Sequence, residues 1–395
     1  MTDISFPLNR ADAFHRLKSF APKAGSHYAR LRNQDHGRGR HVHVSRLSAA
    51  LRRRLVSEEE VVEAVLSHHD FASAEKFVSE VFWRSYWKGW MEQRPSVWRD
   101  YLSAVSRAKD RLDASSDLKT RHEAAIGART GIDCFDGWVE ELCDTGYLHN
   151  WARMQVASIW IFTLGLPWEL GAAFLFDRLI DADPASNTLS WRWVAGLHTA
   201  GKAYLADSER IRSMTEGRFS PRGLARAAII PTDCLSTPQA CTIRPVACPD
   251  PSAPTLLLST SEDLSVESAA EFRGLSVRAI AFIDGRDDWD RIALADGVRR
   301  ARQAWPEAEF LGVVDPAHLS EAAHAAGCTQ IATAFLPVGP MADTLAPLHA
   351  EARGRQGVAF TEFMRDWDRR IWPHCRKGFF ALREKIPQLI DGGRS

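Results

Sequence analysis

Residues 231–254 read PTDCLSTPQACTIRPVACPDPSAP, six prolines in one stretch with no apolar periodicity. Proline fixes φ and donates no backbone hydrogen bond, so such a run reads as a linker. The character of the chain changes across it. From about residue 10 to 225 the sequence is rich in helical periodicity, Trp and Arg, whereas 255–363 alternates short apolar runs with amphipathic stretches. Thr255–Ser259, Val277–Ile283, Phe310–Val314, Gln330–Phe335 and Val358–Phe363 read as strands, with helical patterns near 291–304, 318–326 and 340–353. That alternation predicts a parallel sheet. The expected fold is a mostly α-helical domain over 1–230, a linker over 231–254 and an α/β Rossmann-like parallel-sheet domain over 255–395. Trp367–Ile390 reads as irregular or helical capping structure.

The 395 residues carry 50 basic and 50 acidic side chains, which excludes a uniformly basic nucleic-acid coat but allows a local patch. Seven cysteines, an odd number scattered along the chain, do not form a disulfide framework, and no charged-then-apolar leader opens the sequence. A reduced, cytoplasmic setting is expected. The longest apolar run, Val156–Leu166, is too short to span a bilayer, so no membrane partner is expected and a monomer is the default. Cys234, Cys241 and Cys248 repeat at seven-residue intervals but lack the fourth thiolate and CxxC-like spacing of an iron–sulfur site. His41, His43, His68 and His69 show no ligand spacing, and no catalytic Ser-His-Asp elbow or P-loop is visible, so no metal is expected.

Ten of the fourteen tryptophans fall between Trp83 and Trp193. A core alone does not need them, because each indole brings an N–H to satisfy. Clustered indoles suit stacking on a flat heterocycle or on nucleobases, or relaying electrons, with a Trp-rich core as the bland alternative. Residues 28–57 hold eight arginines against one acid, Asp35, with Ser45 and Ser48 among them. Hydroxyls and backbone N–H groups near a helix start can cradle a diphosphate, while a solvated helix face is the alternative.

Four blocks in order resemble the flavin-binding domain of the photolyase and cryptochrome family. Tyr28, Arg32-Asn33 and Ser45-Arg46-Leu47-Ser48 resemble its phosphate-holding opening, with Val44 where Thr usually stands. Glu80 to Tyr86 resembles its Glu-x-x-Trp-Arg-x-Phe/Tyr helix. Thr130-Gly131 through Asp136, then Thr145 to Met154, resemble its Thr-Gly-Trp-Met-His-Asn block, and Leu179 to Trp193 resembles its Asp-x-Asp…Asn…Trp-x-Trp signature. Glu140 stands where the family usually shows Arg, the helical part closes early near 225, and the α/β part follows the flavin block instead of preceding it. Glu262-Asp263-Leu264 and Gly378 to Arg383 nevertheless resemble segments of the family's α/β antenna domain.

The resemblance implies FAD, bound by Tyr28, Ser45, Arg46, Leu47, Ser48, Arg84, Asn150, Arg153, Asp181, Asp183 and Asn187. Arg153 and Asp181 would pair beside the flavin ring, Asp183 would accept from flavin N–H or ribose hydroxyls, and Asn187 would face flavin N5, unless it is a helix cap. The resemblance places Glu80, Trp83, Asn150, Met154 and Trp193 against a flipped pyrimidine dimer. His149-Asn150 argues against a (6-4) photolyase. Trp191 and Trp168 match the inner members of an electron relay whose outer member is missing between 107 and 119, where Trp160, Trp151 or Tyr147 could substitute. The implied function is blue-light repair of cyclobutane pyrimidine dimers in DNA by a photolyase-like lyase. The rival is a cryptochrome-like photoreceptor with an unknown signalling partner. Whether the sheet also holds a second, antenna chromophore is open, since such a crevice at the strand C-termini can be empty.

Overall fold

A computed structural model describes residues 6–199, 202–231, 238–351 and 357–392. Their contacts form two compact units, one of Ser26–Arg46 and Arg94–Ala240, the other of Phe6–Gly25, Leu47–Gln93 and Cys241–Ser395. The units are interleaved along the chain, whereas composition suggests a linear succession with its boundary at 231–254.

The second unit is built on five parallel strands, β1 (Thr255–Ser259), β2 (Val277–Phe282), β3 (Glu309–Val313), β4 (Gln330–Ala334) and β5 (Ala359–Phe363). Each expected strand is present, the first with the expected ends and the others with ends moved by no more than one residue. The order is β3-β2-β1-β4-β5. Central β1 and β4 are buried at every position, because a parallel sheet is covered on both faces and its side chains alternate between them. Leu256 and Leu258 pack with Leu319 and Leu345 on one face, and Leu257 packs with Phe272 and Ala301 on the other.

Residues 241–254 contain no helix or strand, yet they are strapped to the sheet. Cys241 N–H donates to Gln93 O at 2.9 Å, Arg244 pairs with Glu362 at 2.5 and 2.7 Å, and Gln330 Nε2 donates to Asp250 O at 2.6 Å. Cys241 and Cys248 are exposed and form no disulfide; Cys234 lies outside the described residues.

Two sets of contacts bring residues 47–93 to the sheet. The 22-residue helix Phe71–Glu92 begins where Asp70 accepts the Ser73 N–H at 2.8 Å, and it buries Phe82, Tyr86, Trp87 and Trp90. Trp367 Nε1 donates to Ser85 Oγ at 2.8 Å and Tyr86 Oη to Lys377 O at 3.0 Å. A Cβ on Gly89 would lie 2.8 Å from the Trp372 ring, so only glycine admits that indole. The tail, read as irregular or helical, forms the helices Asp366–Ile371, Phe379–Arg383 and Ile386–Asp391.

The second set is electrostatic. Arg52, Arg53 and Arg54, read above as part of a basic patch, are 7, 1 and 5% exposed. Arg52 makes a two-pronged bond to Glu262 at 2.7 and 3.0 Å, Arg53 holds Asp290 at 2.7 Å, and Arg54 holds Asp368 at 2.7 Å with Glu58 at 3.3 Å. Burial works against the Arg54 charge, but Asp368, Glu58 and Asp263 more than offset it and hold its pKa well above the ordinary value. A buried guanidinium needs such partners, so these three are structural and unavailable to phosphates.

The first unit is helical: Ser96–Ala114, Ser116–Ile126, Asp133–Thr145, Asn150–Ser158, Trp168–Arg178 and Pro184–Val194 are its main elements. The apolar run Val156–Leu166 ends one helix and continues as a π-helical turn at Ile159–Thr163, burying Trp160, whose Nε1 donates to Pro167 O at 2.8 Å. Among the described residues no helix is long and apolar enough to cross a membrane.

Glu92 is 4% exposed and accepts the Val338 N–H at 2.5 Å. Burial raises its pKa from 4.5 to about 7, against the pull of Val338 and Arg244. The folded protein therefore holds a proton that the unfolded chain releases, and stability drawn from this group falls as pH rises from 4.5 to about 7. Glu92→Gln keeps an acceptor for Val338 without the charge. Urea unfolding at pH 5 and pH 8 should show the variant gaining on the parent by up to about 3 kcal/mol at the higher pH; an equal difference at both values contradicts the assignment.

Candidate functional site

Two tight turns set the expected cofactor residues of the first unit. His149 ends the segment 145–149 and its Nδ1 accepts the Trp151 N–H at 3.2 Å, starting the helix Asn150–Ser158. That helix leaves Asn150 exposed and Met154 half-buried. One turn on, Arg153 donates from Nε to Leu148 O at 2.8 Å and from Nη2 to Asp181 at 2.9 Å. The expected Arg153–Asp181 pair is thus formed, with the carboxylate side chain 3% and the guanidinium side chain 23% exposed.

Asp183, 2% exposed, accepts the Ser186 N–H at 2.7 Å and caps the helix Pro184–Val194, with Pro184 at its first position. The cap is therefore Asp183 and not Asn187. Asn187 lies one turn inside, and its side-chain amide donates to Ala172 O at 2.8 Å, tying two helices together. Trp191, on the same helix, is buried edge-on against Trp160 with ring centroids 6.3 Å apart. Half-buried Trp193 lies 5.7 Å from Tyr204.

Of the three substitutes for the missing relay member, Trp160 meets Trp191, Trp151 packs against Trp138 at 6.0 Å, and Tyr147 packs against His41 at 5.2 Å. Trp168 instead meets Tyr101, at 5.7 Å, and Tyr101 meets Trp98 at 5.5 Å. Sequence reading passed over this pair. Its signal is the three-residue spacing of two aromatics, which puts both on one face of the helix Ser96–Ala114.

A buried ionic cluster was also missed. Asp35, the lone acid of the arginine-rich stretch, is 0% exposed and accepts from Arg218 at 2.7 Å, Trp138 Nε1 at 2.7 Å and Gly37 N–H at 3.0 Å. Burial opposes its ionisation, but Arg218 and Trp138 hold its pKa below the ordinary value. His41 Nε2 donates to Glu141 at 2.5 Å, and Asp35, His41 and Glu141 gather within 4.8 Å. His41 stacks on His149 at 5.6 Å, and burial, then His41, lower the pKa of His149 to about 3. His149 is therefore the neutral acceptor its capping role requires. Arg153 lies over the Tyr147 ring at 5.6 Å, so the cluster backs the loop that carries the Arg153–Asp181 pair.

Tyr28 is buried within the helix Ser26–Leu31, and Ser45 and Arg46 end the first unit's segment 26–46. Leu47, Ser48, Glu80, Trp83 and Arg84 belong to the second unit. Leu47 is 0% exposed and serves through its carbonyl, which accepts the Leu51 N–H at 2.8 Å. Glu80 and Trp83 are half-buried, and Arg84 donates to Ser48 O at 3.4 Å. Trp83 stacks on Phe379 with centroids 3.8 Å apart and planes at 12°.

Residues 77–222 match the family model described as the FAD binding domain of DNA photolyase. The chain is 35% identical over 156 residues to the deoxyribodipyrimidine photo-lyase of Streptomyces griseus, covering 39% of this chain and 32% of that protein. It is 25% identical over 205 residues to the Escherichia coli (strain K12) deoxyribodipyrimidine photo-lyase, covering 50% and 42%. It is 32% identical over 119 residues to the cryptochrome DASH of Gloeobacter violaceus, covering 27% and 24%. The matched stretches thus span less than half the length of each relative. The family match over 77–222 takes in the second, third and fourth blocks read from the sequence; the opening block at Tyr28–Ser48 lies before it.

Gly171 sets the approach of the helix bearing Trp168 to the one bearing Asn187 and Trp191. A Cβ there would lie 2.4 Å from the Trp191 ring and 2.9 Å from that of Trp160. Gly171→Ala gains about 1 kcal/mol of helix propensity, yet overpacking two buried indoles should cost about 1–3 kcal/mol. Denaturant unfolding followed by Trp fluorescence should show net destabilisation; a stabilised variant would mean that this packing is loose.

Proposed function

We propose that the chain, whose residues 77–222 match the FAD binding domain of DNA photolyase, is a light-driven, FAD-dependent enzyme that repairs cyclobutane pyrimidine dimers in DNA. The observation that carries the reading is the Arg153–Asp181 pair at 2.9 Å, inside the family-matched stretch that also holds Asn187. A guanidinium, a buried carboxylate and an amide fit the N–H and carbonyl edge of a flavin ring. When bound, the reduced flavin supplies the photoexcited electron that opens the cyclobutane ring and to which it returns.

The chain's own residues orient and insulate. Arg153 is held at Nε by Leu148 O and at Nη2 by Asp181. Asn187 can hydrogen-bond the ring but cannot protonate it, which suits a cofactor kept reduced. Asp183 acts through the helix it caps, as a positioning residue. Glu80 hydrogen-bonds the pyrimidine edge, Trp83 and Trp193 stack on the bases, and Asn150 and Met154 complete the lesion contacts. Tyr101 and Trp98 continue the aromatic series from Trp168 and take the place of the missing outer relay member.

One observation favours a second reading, a cryptochrome-like photoreceptor: a face of Trp83 is covered by Phe379 of the same chain. Glu80→Ala should keep its FAD yet repair a thymine-dimer oligonucleotide more than tenfold more slowly under blue light, the loss of one hydrogen bond to a charged partner. Light-dependent flavin reduction without repair by the parent protein selects the photoreceptor, and unbound FAD rejects both. Tyr101→Phe should slow photoreduction several-fold without lowering FAD content; an unchanged rate removes Tyr101 from the relay.

A further inference from the structure

Open parallel sheets bind ligands outside the carboxyl ends of the strands, where the strand order reverses. Here the reversal lies between β1 and β4. The residues following those strands, Glu262 and Asp263 after β1 and Phe335 and Leu336 after β4, are all 6% exposed or less.

The chain's own cations fill that mouth. Arg52 grips Glu262 and also donates to Ser261 O at 3.4 Å, while the Leu264 N–H donates to Arg53 O at 2.9 Å. Arg365 binds Asp263 at 2.6 and 2.8 Å, and Arg54 reaches the same carboxylate at 3.6 Å. On the β4 side, Arg244 lies over Phe335 at 4.2 Å and donates to Leu336 O at 3.1 Å, and the Leu336 N–H donates to Glu362 at 2.9 Å. The N–H groups and side chains that would receive a pigment are spent on protein contacts. The Glu262 charge answers Arg52.

We infer that this crevice is a socket for residues 47–54 and that the chain holds no antenna pigment, FAD being its single chromophore. The socket anchors the segment that leads, through the helix Glu58–Leu66, to the helix of Glu80 and Trp83.

Two measurements on the full chain test this. A double-mutant cycle of Arg52→Ala and Glu262→Ala, read by urea unfolding, should give a coupling of at least tenfold in the unfolding equilibrium constant; a coupling within twofold overturns the socket. The FAD-loaded protein, dialysed separately against methenyltetrahydrofolate and a deazariboflavin, should retain neither above a flavin-free albumin control by absorbance and sensitised fluorescence. One retained equivalent of either pigment overturns the inference.

Discussion

Three consecutive buried guanidiniums, each answered by its own carboxylate, hold the second unit in its arrangement. A charge removed from water costs several kcal/mol unless it is paired and hydrogen-bonded. Arg52, Arg53 and Arg54 can therefore be inside only where Glu262, Asp290 and Asp368 already stand. Those acids come from the turn after β1, the helix after β2 and a C-terminal helix. One tripeptide thus binds three segments that each lie more than 200 residues from it in sequence.

The first unit repeats the principle on a smaller scale. Asp35 is buried because Arg218, Trp138 and Gly37 satisfy it, and the adjoining His41–Glu141 bond and neutral His149 settle the loop before Asn150. Asp183 then fixes where the next helix begins, and the helical period carries Asn187 and Trp191 to their places. Between these anchors Arg153 is held by the Leu148 carbonyl and the Asp181 carboxylate together.

The tryptophan density that stands out in the sequence resolves into several uses. Trp138 serves the Asp35 cluster, Trp160 and Trp191 pack edge to face over Gly171, and Trp168 leads to Tyr101 and Trp98. Trp83 packs on Phe379. The bland reading of indoles as core therefore holds for several of them. The photolyase-type reading rests on their neighbours as much as on the rings.

Strand positions and the helical character of 10–225 were legible in the sequence, because alternation and helical period are written in neighbouring residues, while the Arg153–Asp181 pair came only from the family resemblance. The capping role of Asp183 was equally local, and the residue order Asp-Pro-Ala-Ser-Asn could have yielded it. The interleaving of the units, the burial of Arg52–Arg54, the strapping of residues 241–254 and the Asp35–His41–Glu141 cluster were not legible. Each depends on which distant carboxylate meets which arginine, and a charged residue looks the same in sequence whether solvated or buried. Local order follows from local chemistry; the pairing of buried charges is settled only when the chain closes on itself and excludes water.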